Sequence, residues 1–171
     1  MTKSLTLFFL IFLSLASALG QKQNLILTTE QNNKWLDSLK IYSLDSQLLT
    51  IKDRLLSDTN VFVRQFYNDR IRVTDSLGNR VYGDGKPTLI IGGYPMIIDN
   101  GTQNSKIINL TKILTPTYIK EINILSPNDP GTTAIYGSPG RNGIILMTLT
   151  KNKYSKSFRR LNLKSNGYTY L

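Results

Sequence analysis

Ala134-Ile-Tyr-Gly-Ser-Pro-Gly-Arg-Asn-Gly143, running directly into Ile144-Ile-Leu-Met-Thr-Leu-Thr150, is the stretch on which the fold turns. Asp129-Pro130 gives a helix-start signal, and Thr132 to Tyr136 makes one or two turns stopped by Gly137. Ser138 to Gly143 reads as loop, because glycine and an Asn-Gly pair accept positive φ. Ile144 to Thr150 then reads as a strand with Ile145, Met147 and Leu149 on one face and Ile144 and Leu146 on the other. Both faces begin apolar, so the strand is expected to be central and covered by helices.

Upstream, Leu89-Ile-Ile91 and Met96-Ile-Ile98 are short apolar strands around Gly92-Gly-Tyr-Pro95, a hairpin or tight reversal. Thr115-Pro116 is expected to start a short helix, capped by the threonine. Glu121-Ile-Asn-Ile-Leu125 alternates like a strand. Together these predict an α/β (α+β) chain, a small mixed sheet with short covering helices.

In the N-terminal half, Leu44, Leu48, Ile51 and Leu55 fall on one helical face, with Ser43 as cap and fraying by Asp58-Thr-Asn60. Val61-Phe-Val63 and Ile71-Arg-Val73 read as short strands, followed by a turn at Asp75 to Asn79 and a returning partner strand at Val81-Tyr82. Gly83-Asp-Gly-Lys-Pro87 breaks the chain between an N-terminal region, 21–85, and a core, 86–151. Residues 21 to 34 read as a polar leader around Leu25-Ile-Leu27, with a first edge strand the plain structural meaning of that apolar triplet.

Lys3, the apolar run Leu5 to Leu15 and the small residues Ala18 and Gly20 predict an export signal over residues 1–20, cleaved after Gly20. An uncleaved anchor is the alternative, although the run falls short of the ~20 apolar residues that span a bilayer. Cysteine and histidine are both absent. The common metal sites and nucleophile–base pairs therefore cannot be assembled, no cofactor is expected, and the 11 acidic residues single out no carboxylate pair for catalysis. A non-enzymatic role follows as the expectation. Formal charge is +10, or +9 once Lys3 leaves with the signal. In an exported chain this favours anionic lipid, lipopolysaccharide or an acidic protein face over nucleic acid, and also simply solubility.

Residues 86–151 resemble, in order and spacing, the plug domain of TonB-dependent outer-membrane receptors, in the branch typical of Bacteroidetes. Four places carry the likeness: Pro87 to Pro95, Pro116 to Leu125, Ala134-Ile-Tyr-Gly137, and Asn142-Gly to Lys151. Gly92 stands where that branch usually has an acid, and Ser126 to Gly131 replaces a lysine-acid-small segment. The resemblance implies a plug-like fold without the surrounding barrel. It further implies a place in the periplasm or at the periplasmic face of the outer membrane, and contact with an envelope protein: a receptor, the TonB machinery or a signalling partner. Its motif residues here are Tyr136, Gly137, Gly140, Arg141, Asn142 and Gly143; Tyr136 is expected to pack its ring beside the sheet, and Arg141 is the polar side chain there that either touches a partner or is simply solvated. Leu25-Ile-Leu-Thr-Thr29 has the composition of the segment such receptors present to TonB. A phosphate cradle at Gly137 to Gly143 is disfavoured, since such loops lead from strand into helix and this one leads from helix into strand.

After Thr150 come Lys151, Lys153, Lys156, Arg159, Arg160 and Lys164 with no acid, a basic tail over 152–171. Leu161, Leu163, Tyr168, Tyr170 and Leu171 suffice for one edge strand, against the ~8 strands of the smallest transmembrane barrels, so no pore is expected. Such a tail is read first as merely solvated, and it also offers the second functional expectation, a secreted binder of anionic glycan or lipopolysaccharide. A receptor remnant is a third.

Overall fold

The computed structural model describes residues 25–63, 81–96, 98 and 102–163. The expected export signal, the strand at Ile71 to Val73, the turn at Asp75 to Asn79 and the tail from Lys164 lie outside them. Five α-helices and two sheets make up the described residues, in an α+β arrangement. In chain order they are α1 (Thr29–Lys40), α2 (Leu44–Ser57), β1 (Val61–Val63), β2 (Val81–Gly83), β3 (Thr88–Ile91), β4 (Tyr94–Met96), α3 (Asn104–Ile113), β5 (Ile119–Leu125), α4 (Thr132–Tyr136), β6 (Ile144–Leu149) and α5 (Ser155–Arg160).

The main sheet is mixed and open, in the order β4-β3-β6-β5. β6 is interior, parallel to β3 and antiparallel to β5, as the apolar start of both its faces requires. Register puts Leu89 beside Ile145, Ile91 beside Met147, Ile122 beside Met147 and Ile124 beside Ile145. With Met96 these side chains form one buried row, and Leu36, Leu39, Leu48, Ile51, Leu55, Ile107, Leu110 and Phe158 close over it. Among the described residues the helices close over this one face. On the other face, among the described residues, Ile144 is buried, Ile90 and Leu146 are half-buried and Asn123 and Thr148 are exposed, so the expectation of a strand covered on both sides holds only at its start. The row that begins apolar at Ile144 turns polar by Thr148, which removes any drive to bury its outer end.

α2 forms where the Leu44–Leu55 stripe predicts it, with the Ser43 hydroxyl accepting from the Ser46 N–H. The β3–β4 hairpin is tighter than expected: Gly92 and Gly93, at φ 56° and 82°, make a two-residue turn, so β4 begins at Tyr94. Positive φ at both central positions matches the right-handed twist of the strands they join. β2 pairs with β1, in parallel, and its pairing with the strand expected at Ile71 to Val73 lies outside the described residues.

Three segments correct the sequence reading. Thr28 caps α1 through a reciprocal box, its hydroxyl accepting from the Gln31 N–H at 3.2 Å while the Gln31 side chain accepts from the Thr28 N–H at 3.1 Å. That helix occupies much of what reads as a polar leader, and Leu25–Leu27 is not a strand. Thr115-Pro116 starts no helix. It follows α3 and makes a turn in which the Tyr118 and Ile119 N–H groups both donate to the Thr115 carbonyl at 2.9 Å. The basic tail, as far as Leu163, is folded rather than merely solvated: Phe158 is fully buried, its ring edge-on to Tyr118 at 6.2 Å, and Leu163 is buried and in no strand.

Candidate functional site

The motif residues form a compact turn between α4 and β6. Gly137 (φ 61°, ψ −139°) ends α4, its N–H donating to the Thr133 carbonyl at 2.8 Å. A 3-10 turn over Ser138–Asn142 follows, and Gly143 (φ 83°, ψ 163°) swings the chain into β6. Both conformations are ones that side-chain-bearing residues avoid. Gly140 is needed for another reason. A Cβ there would stand 2.8 Å from the Thr132 carbonyl oxygen. At Gly143 a Cβ would run into Leu36 and stand 3.0 Å from the Leu125 carbonyl oxygen. The Gly143 carbonyl accepts from the Thr88 N–H at 3.0 Å, tying the turn to the start of β3.

Asn142 anchors the turn to the helical layer. Its carbonyl accepts from Asn32 Nδ2 at 2.8 Å. Asn32 Oδ1 in turn accepts from Arg54 Nη2 at 3.3 Å, and Arg54 Nε donates to Asp58 Oδ2 at 2.7 Å. Lys86 Nζ donates to the Asp58 carbonyl at 2.7 Å, and the Arg54 guanidinium lies 4.8 Å from the centre of the Trp35 ring. Asn32, Arg54 and Asp58 are 2%, 6% and 4% exposed, so this polar chain runs inside the protein. Burial pushes the Asp58 carboxyl above its ordinary value against the pull of the Arg54 charge. One Asp58 oxygen, Oδ1, has no protein partner among the described residues.

Of the six motif residues, then, the three glycines shape the turn and Asn142 pins it through its main chain. Tyr136 is half-buried and Arg141 is exposed at the surface of the turn. Asn32, Arg54 and Asp58 were not singled out from sequence, although one signal was present. Arg54 and Asp58 are opposite charges four residues apart on the flank of the Ile51–Leu55 stripe, the spacing of a helical ion pair.

Among the described residues no three or more Asp or Glu side chains are grouped so as to hold a metal ion, and no helix is long and apolar enough to cross a membrane. Compared with known protein families, with curated proteins and with solved structures, the chain matches none.

Proposed function

We propose that this chain is an exported, non-catalytic interaction domain of the TonB-receptor plug type, working at the periplasmic face of the outer membrane through contact with an envelope protein. The observation that carries the reading is the course of the chain through the motif. The Ala134–Gly143 turn delivers β6 into the middle of the sheet, hydrogen-bonded to β5 on one side and β3 on the other. A plug-like reading requires that pairing. Had β6 been an unpaired margin, the likeness of the motif would have been accidental. The positive φ angles at Gly137 and Gly143 and the close packing at Gly140 further account for the glycines by which the resemblance was drawn.

Arg141 is the contact point this proposal favours, since it is exposed on a turn whose backbone is held from beneath. The test is site-directed photo-cross-linking in the intact envelope, with the cross-linking residue placed at 141 in the full chain. Recovery of an outer-membrane receptor or a component of the TonB machinery is the expected result. Adducts confined to lipid or ribosomal material would overturn the proposal. Removing Lys151 to Leu171 is a poor control, because it would strip Phe158 and Leu163 out of the core. Charge-neutralising substitutions on the α5 surface serve instead.

A further inference from the structure

The sequence holds three Asn-Gly pairs, Asn100-Gly101, Asn142-Gly143 and Asn166-Gly167. The middle pair closes the motif turn and lies among the described residues, and the other two lie outside them. Asn-Gly is a reactive pair because glycine has no side chain to shield its main-chain nitrogen. That nitrogen attacks Cγ of the asparagine. The new N–Cγ bond closes a succinimide ring, the Cγ–Nδ2 bond breaks, and ammonia leaves with the proton that the glycine nitrogen gives up. Water then opens the ring. Cleavage of the N–Cγ bond yields aspartate in an ordinary main chain. Cleavage of the bond from nitrogen to the α-carbonyl yields isoaspartate, with the main chain rerouted through Cγ.

The folded turn restrains both reacting groups. The Gly143 N–H donates to the Gly140 carbonyl at 3.1 Å, so the attacking nitrogen is already engaged, and Gly143 itself is buried. The peptide between the two residues is fixed on either side. The Asn142 carbonyl accepts from Asn32 Nδ2 at 2.8 Å, and the Gly143 carbonyl accepts from the Thr88 N–H at 3.0 Å. The Asn142 side chain packs so closely on Gly85 that a Cβ there would collide with its Cγ, Nδ2 and Oδ1. Ring closure therefore requires the turn to open first. An isoaspartate would not fit back afterwards. It adds a main-chain atom immediately before Gly143, whose space is bounded by Leu36 and the Leu125 carbonyl oxygen.

We propose that Asn142 is a latent deamidation site which the folded turn keeps closed, and that its isoaspartyl product makes an opening of the turn permanent. The site depends on the turn's own bonds, so its success or failure leaves the protein-contact reading at Arg141 where it stands. Peptide mapping by mass spectrometry follows Asn142 in the full chain, held at mildly alkaline pH with and without urea. In urea, Asn100 and Asn166 are internal clocks, and Asn142 is expected to keep pace with them. In buffer, Asn142 should react at least about tenfold more slowly than in urea, as a site that reacts only through opening does. Asn32→Asp keeps an acceptor for Arg54 but removes the donor to the Asn142 carbonyl. It is expected to speed the reaction in buffer by about threefold to tenfold, the range that loss of one hydrogen bond gives, with no change in urea. Asn142→Asp, which leaves the main chain intact, is expected to unfold near the wild-type urea midpoint, and the isolated isoaspartyl form well below it. Equal Asn142 rates in buffer and urea, an inert Asn142 in urea, or a buffer rate unmoved by Asn32→Asp would each overturn the closed site. An isoaspartyl form as stable as Asn142→Asp would overturn the permanence of the opening.

Discussion

Replacing Gly143 by alanine tests the geometry at the centre of the motif, and Gly93→Ala provides the matched comparison. Both glycines sit at φ near +80°, 83° and 82° respectively. Their surroundings differ. A Cβ at Gly93 meets nothing within 4 Å, whereas one at Gly143 collides with Leu36 and approaches the Leu125 carbonyl oxygen at 3.0 Å. Gly93→Ala should therefore cost only the left-handed backbone penalty, about 1–2 kcal/mol. Gly143→Ala carries strain of about 1–3 kcal/mol for its φ/ψ region and a further ~1–3 kcal/mol for forcing volume into a packed site, about 4 kcal/mol at the centre of the range. With a urea slope of about 2 kcal/mol/M, those costs move the unfolding midpoint down by about 0.5–1 M for Gly93→Ala and about 2 M for Gly143→Ala. Equilibrium urea unfolding followed by circular dichroism reads both shifts, provided the slope is unchanged. Equal shifts in the two variants would refute the reasoning, since they would mean that the packing of Leu36 and Leu125 against the turn adds nothing.

Three further outcomes are expected. Arg54→Ala should destabilise by about 3–5 kcal/mol, because it leaves the Asp58 carboxylate buried without its partner. Adding Asp58→Ala should then cost far less than the sum of the two singles, and additive singles in a double-mutant cycle would contradict the coupling. The raised pKa of Asp58 means that the folded chain holds this proton more tightly than the unfolded one, so the group's contribution is most favourable at low pH and is lost as pH rises through its folded value. Measured against Asp58→Asn, the wild type should lose relative stability as pH climbs from about 3.9, and a relative gain would reverse the sign argued here. Phe158→Ala should cost about 3–5 kcal/mol, whereas a solvated tail would make it neutral in the same unfolding assay.

Elements with a single unbroken signal were legible in the sequence. The stripe of α2, the alternation of β5 and the doubly apolar start of β6 each map onto one periodicity, and each lies where that periodicity put it. α1 was hidden because its buried face reads Asn32, Leu36, Leu39. A polar residue at the first inward position looks like solvent-facing sequence until Arg54 and the Asn142 carbonyl are seen to satisfy it. α3 was hidden for the opposite reason. Ile107, Leu110 and Leu114 are spaced as a core face, but exposed Ile108 blurs the stripe and Gln103 at the N-cap makes no side-chain capping bond. Thr115-Pro116 then drew the eye as a beginning, although proline just beyond a helix end is equally at home because it cannot continue the helix. The glycines of the motif could be found by composition. Their supports could not, since Asn32 and Leu36 come from α1 and Thr88 from β3, both far from the motif in the chain.

The distribution of polar groups separates what the motif does from what it touches. Asn32, Arg54 and Asp58 are buried, and breaking such a chain at one member strands the others away from water. That expense serves to hold the Asn142 main chain, and with it the entry into β6. A turn held this firmly is poorly suited to refolding around a partner, so the recognition proposed at the motif would rest on what the turn displays, which is Arg141. The open sheet face has the opposite character. Among the described residues its Ile90 and Leu146 are half-buried, and its Asn123 and Thr148 are exposed. The protein contact proposed at Arg141 therefore draws on none of the residues of that open face.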